Sequence, residues 1–324
     1  MTDFNILVLG SGAATPTHTR KCSAQLLNVC GTKILIDCGE STQNQLRHNH
    51  QKIQSISSIF ISHLHGDHFF GLPGLISTMH LCGRTEPLTV YAPTGAREAI
   101  ELLFRISATT VRFELNIIDL DVTCLTRIHE GRNFSVSAFP LYHSIPTFGF
   151  LIEEAQPLPN LRPMMRDKYN MTNEDCINVK HGADLTLSDG TVIPNSQLVS
   201  QPRRPRRYAY CCDTVFDETI VPNVQGVDLL CMESTFDNAF ADMAHERCHL
   251  TAAQAATIAL QAGAGQLLLT HFSARYRDIS VLMDEATAIF QNTLCANDNT
   301  WYSVFNSKNA SRKDASTTNT QNNA

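Results

Sequence analysis

Hydrophobic residues along this chain come in short runs broken by polar clusters, glycines and prolines, a rhythm that predicts strands separated by tight turns. Residues 4–9 form the first run and enter the small-residue turn Gly10-Ser11-Gly12-Ala13-Ala14. Residues 23–29 and 32–37 read as a hairpin turning at Cys30-Gly31. Further strand patterns fall at 59–61, 88–92, 113–120, 123–128, 134–139 and 148–152, and again at 208–213, 227–233 and 266–270. Ser41 is placed to cap a helix running to about His48. Helical spacing also covers 71–83, interrupted at Pro73, the amphipathic stretch 95–106, and 252–262 and 281–291. Hairpins with helices interspersed suit two packed sheets with helices outside, an α+β fold in a four-layer αββα sandwich.

One region breaks the rhythm. Residues 154–207 are rich in proline and polar side chains, and 179–184 and 187–191 read as a turn-rich excursion with no second core. The expected organisation is therefore a single domain over 1–305 with the excursion at 155–205 inserted in it. The tail 306–324 is poor in apolar residues and is expected to be disordered.

Composition narrows the picture. Of 324 residues, 43% are hydrophobic, enough for a sizeable core, yet no apolar run is long enough to span a bilayer. The start, MTDFNILVLGSG, lacks a basic n-region, so no signal peptide is expected. Eleven cysteines, with no C-x-x-C pair, predict core residues of a reducing compartment, not a disulfide framework. The formal charge of −6 means that any polyanionic partner must find its positive charge locally.

The densest chemistry lies at His63-Leu64-His65-Gly66-Asp67-His68, directly after the apolar residues Ile59, Phe60 and Ile61. Three imidazoles and a carboxylate this close would repel or stay poorly solvated in a dry site, and a pair of zinc ions satisfies all of them. Two metals need more donors than this loop holds. His143, Asp213 and His271 each follow an apolar run, where strand ends gather to form sites. Taken singly, each can equally be a satisfied polar residue at a strand end.

H-x-H-x-D-H after an apolar strand resembles the signature of the metallo-β-lactamase fold. A closer resemblance is to ribonuclease Z, the endonuclease family that trims 3′ trailers from precursor tRNA. It is carried by residues 9–16 (LGSGAATP), 36–40 (IDCGE), 61–68, 71–75 (GLPGL), 212–214, 249–256 (HLTAAQAA) and 270–276 (THFSARY), in the family's order from residue 4 to about 305. The resemblance implies one zinc held by His63, His65 and His143, a second by Asp67, His68 and His271, and Asp213 bridging both. That makes two Zn2+ per subunit, and the N and O donors also admit Mn2+. It implies that Asp67 takes the proton of the attacking water and that His249 acts at the scissile phosphate as proton donor or charge stabiliser. Cleavage would leave a tRNA 3′-hydroxyl. Ser273 and Arg275 are suited to phosphate, and Asp37 to orienting a ligand histidine.

The resemblance implies that residues 155–205 form a protruding arm, which in the family grips tRNA from the partner subunit of a homodimer. Here the densest basic stretch is Arg203, Arg204, Arg206 and Arg207, with Arg162, Arg166, Lys168 and Lys180 nearby. Two departures stand out. Residues 155–195 lack the Gly-Pro motif of many bacterial arms, and Ser41 replaces a frequent glycine. The expected protein is a cytoplasmic, homodimeric tRNA 3′ endonuclease with no membrane association. The competing readings are a phosphodiesterase or other hydrolase of small substrates on the same scaffold, and a nucleic-acid-binding module with a structural metal. Structural zinc sites are typically closed and cysteine-rich, unlike this one.

Overall fold

A computed structural model describes residues 3–305; the expectation of a disordered tail lies outside the described residues. Strand alternation decides the layers. In Phe4–Gly10, Ile6 and Val8 point into one apolar cluster while Leu7 and Leu9 point into another. The same split separates Phe60 from Ile59 and Ile61. A strand buried on both faces must lie between two layers, and this one does.

The first sheet runs Thr300–Ser303, Phe4–Gly10, Ala24–Val29, Thr32–Ile36, Ile56–Phe60, Leu88–Pro93, Leu115–Leu120. The second runs Thr293–Cys295, Leu267–Thr270, Leu229–Glu233, Arg207–Cys211, Thr147–Glu154, Phe134–Leu141, Thr126–Glu130. Phe60, Phe139, Phe150 and Tyr210 share the core formed by residues of both sheets. Helices Leu72–Leu81 and Ala96–Ile106 pack on the outer face of the first sheet. Helices Ala252–Gln261 and Ser280–Ile289 pack on the second. Thr32–Ile36 through Leu115–Leu120 are parallel, as are Arg207–Cys211 through Thr293–Cys295. Parallel strands end on one side, and ligand sites form beyond their carboxyl ends.

Local details depart from the expected elements. Pro73 does not interrupt its helix; it sits in the first turn of Leu72–Leu81, where a missing N–H costs nothing. Ser41 does not cap its helix by side chain. It adopts φ 69°, the left-handed region, which accounts for the glycine frequent there in the family it resembles. Two glycines allow the metal-loop backbone to close up. A Cβ at Gly71 would lie 2.1 Å from the Gly39 carbonyl oxygen, and one at Gly39 would lie 2.2 Å from that of Asp67. The Cys38 N–H donates to His68 O at 2.7 Å in the same junction.

Residues 154–205 form a separate compact unit. They carry the helix Asn173–Lys180, whose Thr172 and Asp175 make a reciprocal capping box, and a hairpin of Leu185–Thr186 with Val192–Ile193. Contrary to the expectation of a coreless excursion, Met171, Val179, Leu185 and Leu198 are buried together, with Leu161, Met165 and Tyr169 packed against them. These apolar residues come from short, irregular elements, so no single period reveals them in the sequence. None of the eleven cysteines is in a disulfide. Among the described residues no helix is long and apolar enough to cross a membrane.

Candidate metal centre

Strand ends deliver the donors. His63, His65, Asp67 and His68 follow Ile56–Phe60, the last two within the short helix Gly66–Phe69. His143 follows Phe134–Leu141, Asp213 follows Arg207–Cys211, and His271 follows Leu267–Thr270 at φ 60°. All seven converge. His63, His65, His143 and Asp213 form one potential donor set, and Asp67, His68 and His271 a second.

Asp213 joins them. Its Oδ2 lies 3.6 Å from His63 Nε2 and 3.9 Å from His143 Nε2. Its Oδ1 lies 3.2 Å from His271 Nε2 and 3.5 Å from His68 Nε2. Asp67 Oδ2 completes the second set at 3.4 Å from His271 Nε2 and 3.6 Å from His68 Nε2, and it accepts the Ala14 N–H at 2.7 Å.

The far nitrogens of four of the five rings are tethered, which fixes the tautomers assigned from these hydrogen bonds. His68 Nδ1 donates to Asp37 Oδ2 at 2.7 Å. Asp37, fully buried, also accepts from Ser62 N–H, Ser62 Oγ and Tyr210 OH. Ser62 Oγ spends its proton on Asp37 and so accepts from His63 Nδ1 at 3.0 Å. His143 Nδ1 donates to Cys248 O at 2.9 Å. Thr235 Oγ1 donates to Glu233 Oε2 and accepts from His271 Nδ1 at 2.9 Å. Each Nε2 therefore turns a lone pair toward the shared centre.

Whether this set fits metal ions is decided by what it leaves unsatisfied. His63 Nε2 and Asp213 Oδ1 are buried with no hydrogen-bond partner. His68 Nε2 and His271 Nε2 stand 3.3 Å apart, a repulsive contact for two lone pairs. Without a cation, the site must hold protons instead. Burial alone would lower the His68 pKa, but Asp213 and Asp37 raise it to about 10. Burial opposes ionisation of Asp213, and the charges of His271 and His68 nonetheless hold it well below the carboxylate range. Burial and the neighbouring His68 push His63 down, so that it is a neutral donor. Divalent cations replace those protons, and the donor set fits them.

His249 stands beside this set. Its Nδ1 lies 3.0 Å from Glu233 Oε1, and its ring is 5.2 Å from that of His143. Burial would lower its pKa, but the charge and hydrogen bond of Glu233 raise it to about 9, which favours the protonated form. His249, Ser273, Asp67 and Asp213 line a cavity of about 540 Å³ together with Arg247 and Phe70. Sequence reading gives Glu233 no role, although it ends an apolar run as the other donors do. Ser62, Thr235, Tyr210 and the Ala14 N–H give no sequence signal.

The basic residues stand in different surroundings. Arg275 stacks over Phe236 at 5.0 Å and Phe240 at 4.3 Å, a cation held between two rings. Arg203 forks onto Glu154 at 2.6 and 3.1 Å, and Arg204 is half-buried. Arg206 and Arg207 do not belong to the inserted unit. Arg206 is buried over the Phe4 ring and donates to Val304 O, so it has no surface for RNA. Arg207 gives its Nε to Glu153 at 2.8 Å and an Nη1 to Gln225 O at 2.7 Å. In sequence the basic run reads as one surface; in the fold Arg206 is buried, while Arg203, Arg204 and Arg207 are half-buried.

Comparison with known proteins agrees with this geometry. A family model described as Anti-Pycsar protein Apyc1 matches residues 4–155. The ribonuclease Z of Bacteroides fragilis is 42% identical over 300 residues, which is 92% of this chain and 98% of that relative. The crystal structure of human tRNase Z, short form, superposes with a TM-score of 0.66 at 30% identity, covering 93% of this chain and 99% of that one. YhfI from Bacillus subtilis, a metallo-β-lactamase fold protein, reaches a TM-score of 0.66 at 18% identity, covering 93% and 99% respectively, and shares the fold.

Proposed function

The chain belongs to the ribonuclease Z family, and from that membership we propose how its site works and what surrounds it. The protein is a tRNA 3′-processing endoribonuclease with a metal cofactor. The cofactor we propose is two Zn2+ per subunit, one held by His63, His65 and His143, the other by Asp67, His68 and His271, with Asp213 shared. The observation that carries this assignment is the division of the Asp213 oxygens between the two histidine sets. When bound, such a pair supplies positive charge at the phosphodiester and acidifies water at the site. Asp67, pinned by the Ala14 N–H, accepts the proton of the attacking water. His249, protonated against Glu233, donates its proton to the departing 3′-oxygen of the tRNA. The water oxygen joins phosphorus as the bond to that 3′-oxygen breaks. The tRNA keeps a 3′-hydroxyl and the trailer a 5′-phosphate.

Precursor tRNA and a small phosphodiester offered to the purified protein separate this reading from its competitor. Cleavage of the precursor directly after the discriminator base is expected. Turnover of the small phosphodiester alone would refute it.

A cavity of about 540 Å³ admits a phosphodiester but not a folded tRNA, so the tRNA body is gripped elsewhere. In this reading residues 155–205 are the grip, inserted in a single catalytic domain. Arg166, Lys168 and Lys180 are its available cations: Arg166 donates to a neutral partner, Asn173 Oδ1, and Lys168 lies over the Tyr169 ring. Neutralising all three is expected to weaken tRNA affinity and to flatten its salt dependence by roughly one unit for each phosphate no longer neutralised. An unchanged salt slope in a filter-binding titration would move the grip to another surface.

A homodimer accounts for the exposed Leu102, Leu103 and Ile106 on Ala96–Ile106 and for Leu81 on the contacting helix Leu72–Leu81. A monomer mass in sedimentation would exclude it. Eleven cysteines, none in a disulfide, suit the cytoplasm.

A further inference from the structure

One side chain at the mouth of the cavity has no use within the fold. Phe70 is 72% exposed, although His68 and Phe69 just before it are buried. Among the described residues it is the one large exposed hydrophobic side chain in the lining of the catalytic cavity. Its position is fixed. The ring lies on Gly66, where a Cβ would come within 2.6 Å of a ring carbon. The Phe70 N–H donates to Gly66 O at 3.0 Å, and Gly71 is wedged against Gly39. Gly66 in turn sits between His65 and Asp67, so the ring rides on the metal-binding loop itself.

A rigid phenyl face presented to solvent serves a flat apolar group that arrives with the substrate. A single ring is too small to dock a protein, but it matches a nucleobase, and aromatic platforms of this kind hold unstacked bases in RNA-binding sites. The lining supplies Arg247 for the backbone charge that comes with the base. On the tRNA side of the cut, the discriminator base stacks on the acceptor helix. The first trailer base has no helix to stack on.

We propose that Phe70 is the stacking platform for the first trailer nucleobase, so that the cavity selects an unpaired nucleotide immediately 3′ of the cleaved bond. This rests on the tRNA-processing reading and adds a recognition element to it.

The test is a double-mutant cycle on kcat/KM. Wild type and Phe70→Leu, which keeps apolar bulk but loses the ring, are each given an intact precursor tRNA and one with an abasic first trailer nucleotide. A precursor abasic at the discriminator position serves as the third substrate. Metal content and Tm of the variant establish that the loop is intact; should Phe70→Leu lose its metal, Phe70→Tyr and Phe70→Trp, which keep a ring, are compared with Phe70→Met. The expected result is a loss of about 5- to 150-fold for either change alone, the span of stacking for one base, and little further loss when both are combined. Phe70→Trp is expected to retain activity on the intact precursor. Losses that multiply, or coupling only to the discriminator position, overturn the proposal while leaving tRNA processing intact. Wild-type protein that leaves the intact precursor uncut overturns the functional reading itself, and the platform with it.

Discussion

Replacing Asp67 with alanine is expected to reduce turnover of precursor tRNA by about three orders of magnitude or more while leaving tRNA binding nearly unchanged. The carboxylate sits 3.4 Å from His271 Nε2 and 3.6 Å from His68 Nε2, so its loss removes a donor from the second set. Burial opposes its ionisation, yet the His271 hydrogen bond and the His68 charge hold its pKa well below the carboxylate range. It is therefore ionised whenever substrate is bound near neutrality. Affinity for tRNA comes mostly from phosphate contacts spread over a larger surface, and these survive the substitution. Asp67→Asn keeps an acceptor for the Ala14 N–H but loses the charge, so it separates loop positioning from metal and proton chemistry. Measured side by side, both variants should be nearly inactive with one metal equivalent or less. Normal turnover in either, or loss of tRNA binding without loss of turnover, would contradict the role.

The second large effect is expected at Glu233. Its carboxylate is fully buried and accepts from the Thr214 N–H at 2.7 Å, from Thr235 Oγ1 at 2.5 Å and from His249 Nδ1 at 3.0 Å. Glu233→Gln removes the charge that keeps His249 protonated and places an amide N–H among donors. A loss of about 10²- to 10³-fold in kcat is expected, the scale of one general-acid contribution. The pH dependence gives the sign. A His249 pKa raised to about 9 keeps the donor charged below that pH, and its contribution is lost as pH rises through it. Without Glu233 the largest raising influence is gone, and the alkaline limb of the kcat profile moves to lower pH. Bound cations lower this limb in both proteins, so the difference between them is the readout. A coincident pair of profiles would remove His249 as the proton donor.

The legible parts of this molecule are those governed by short-range rules. Ile59, Phe60 and Ile61 announce a strand, and the H-x-H-x-D-H loop must then lie at its carboxyl end. His143, Asp213 and His271 follow by the same logic, since each ends an apolar run, and their convergence is visible only once both sheets are folded. Glu233 carries the same signal without standing out, because a carboxylate at a strand end has many ordinary uses. Ser62 and Thr235 are out of reach, since a hydroxyl relay depends on ring orientation in three dimensions. The core of residues 154–205 is hidden for lack of a period, and Arg206 misleads because a basic run in sequence says nothing about which side chains point inward.

Metal content and cleavage position, measured on one preparation, test the central claim most directly. The protein is stripped with a chelator, dialysed, and reloaded with zinc in steps while a 3′-trailed precursor tRNA is sequenced at its new ends. Activity is expected to be absent in the stripped protein and to saturate at two zinc ions per chain, with every product ending in a 3′-hydroxyl at the discriminator base. Full activity without metal, saturation at a single ion, or cuts scattered along the trailer would contradict it.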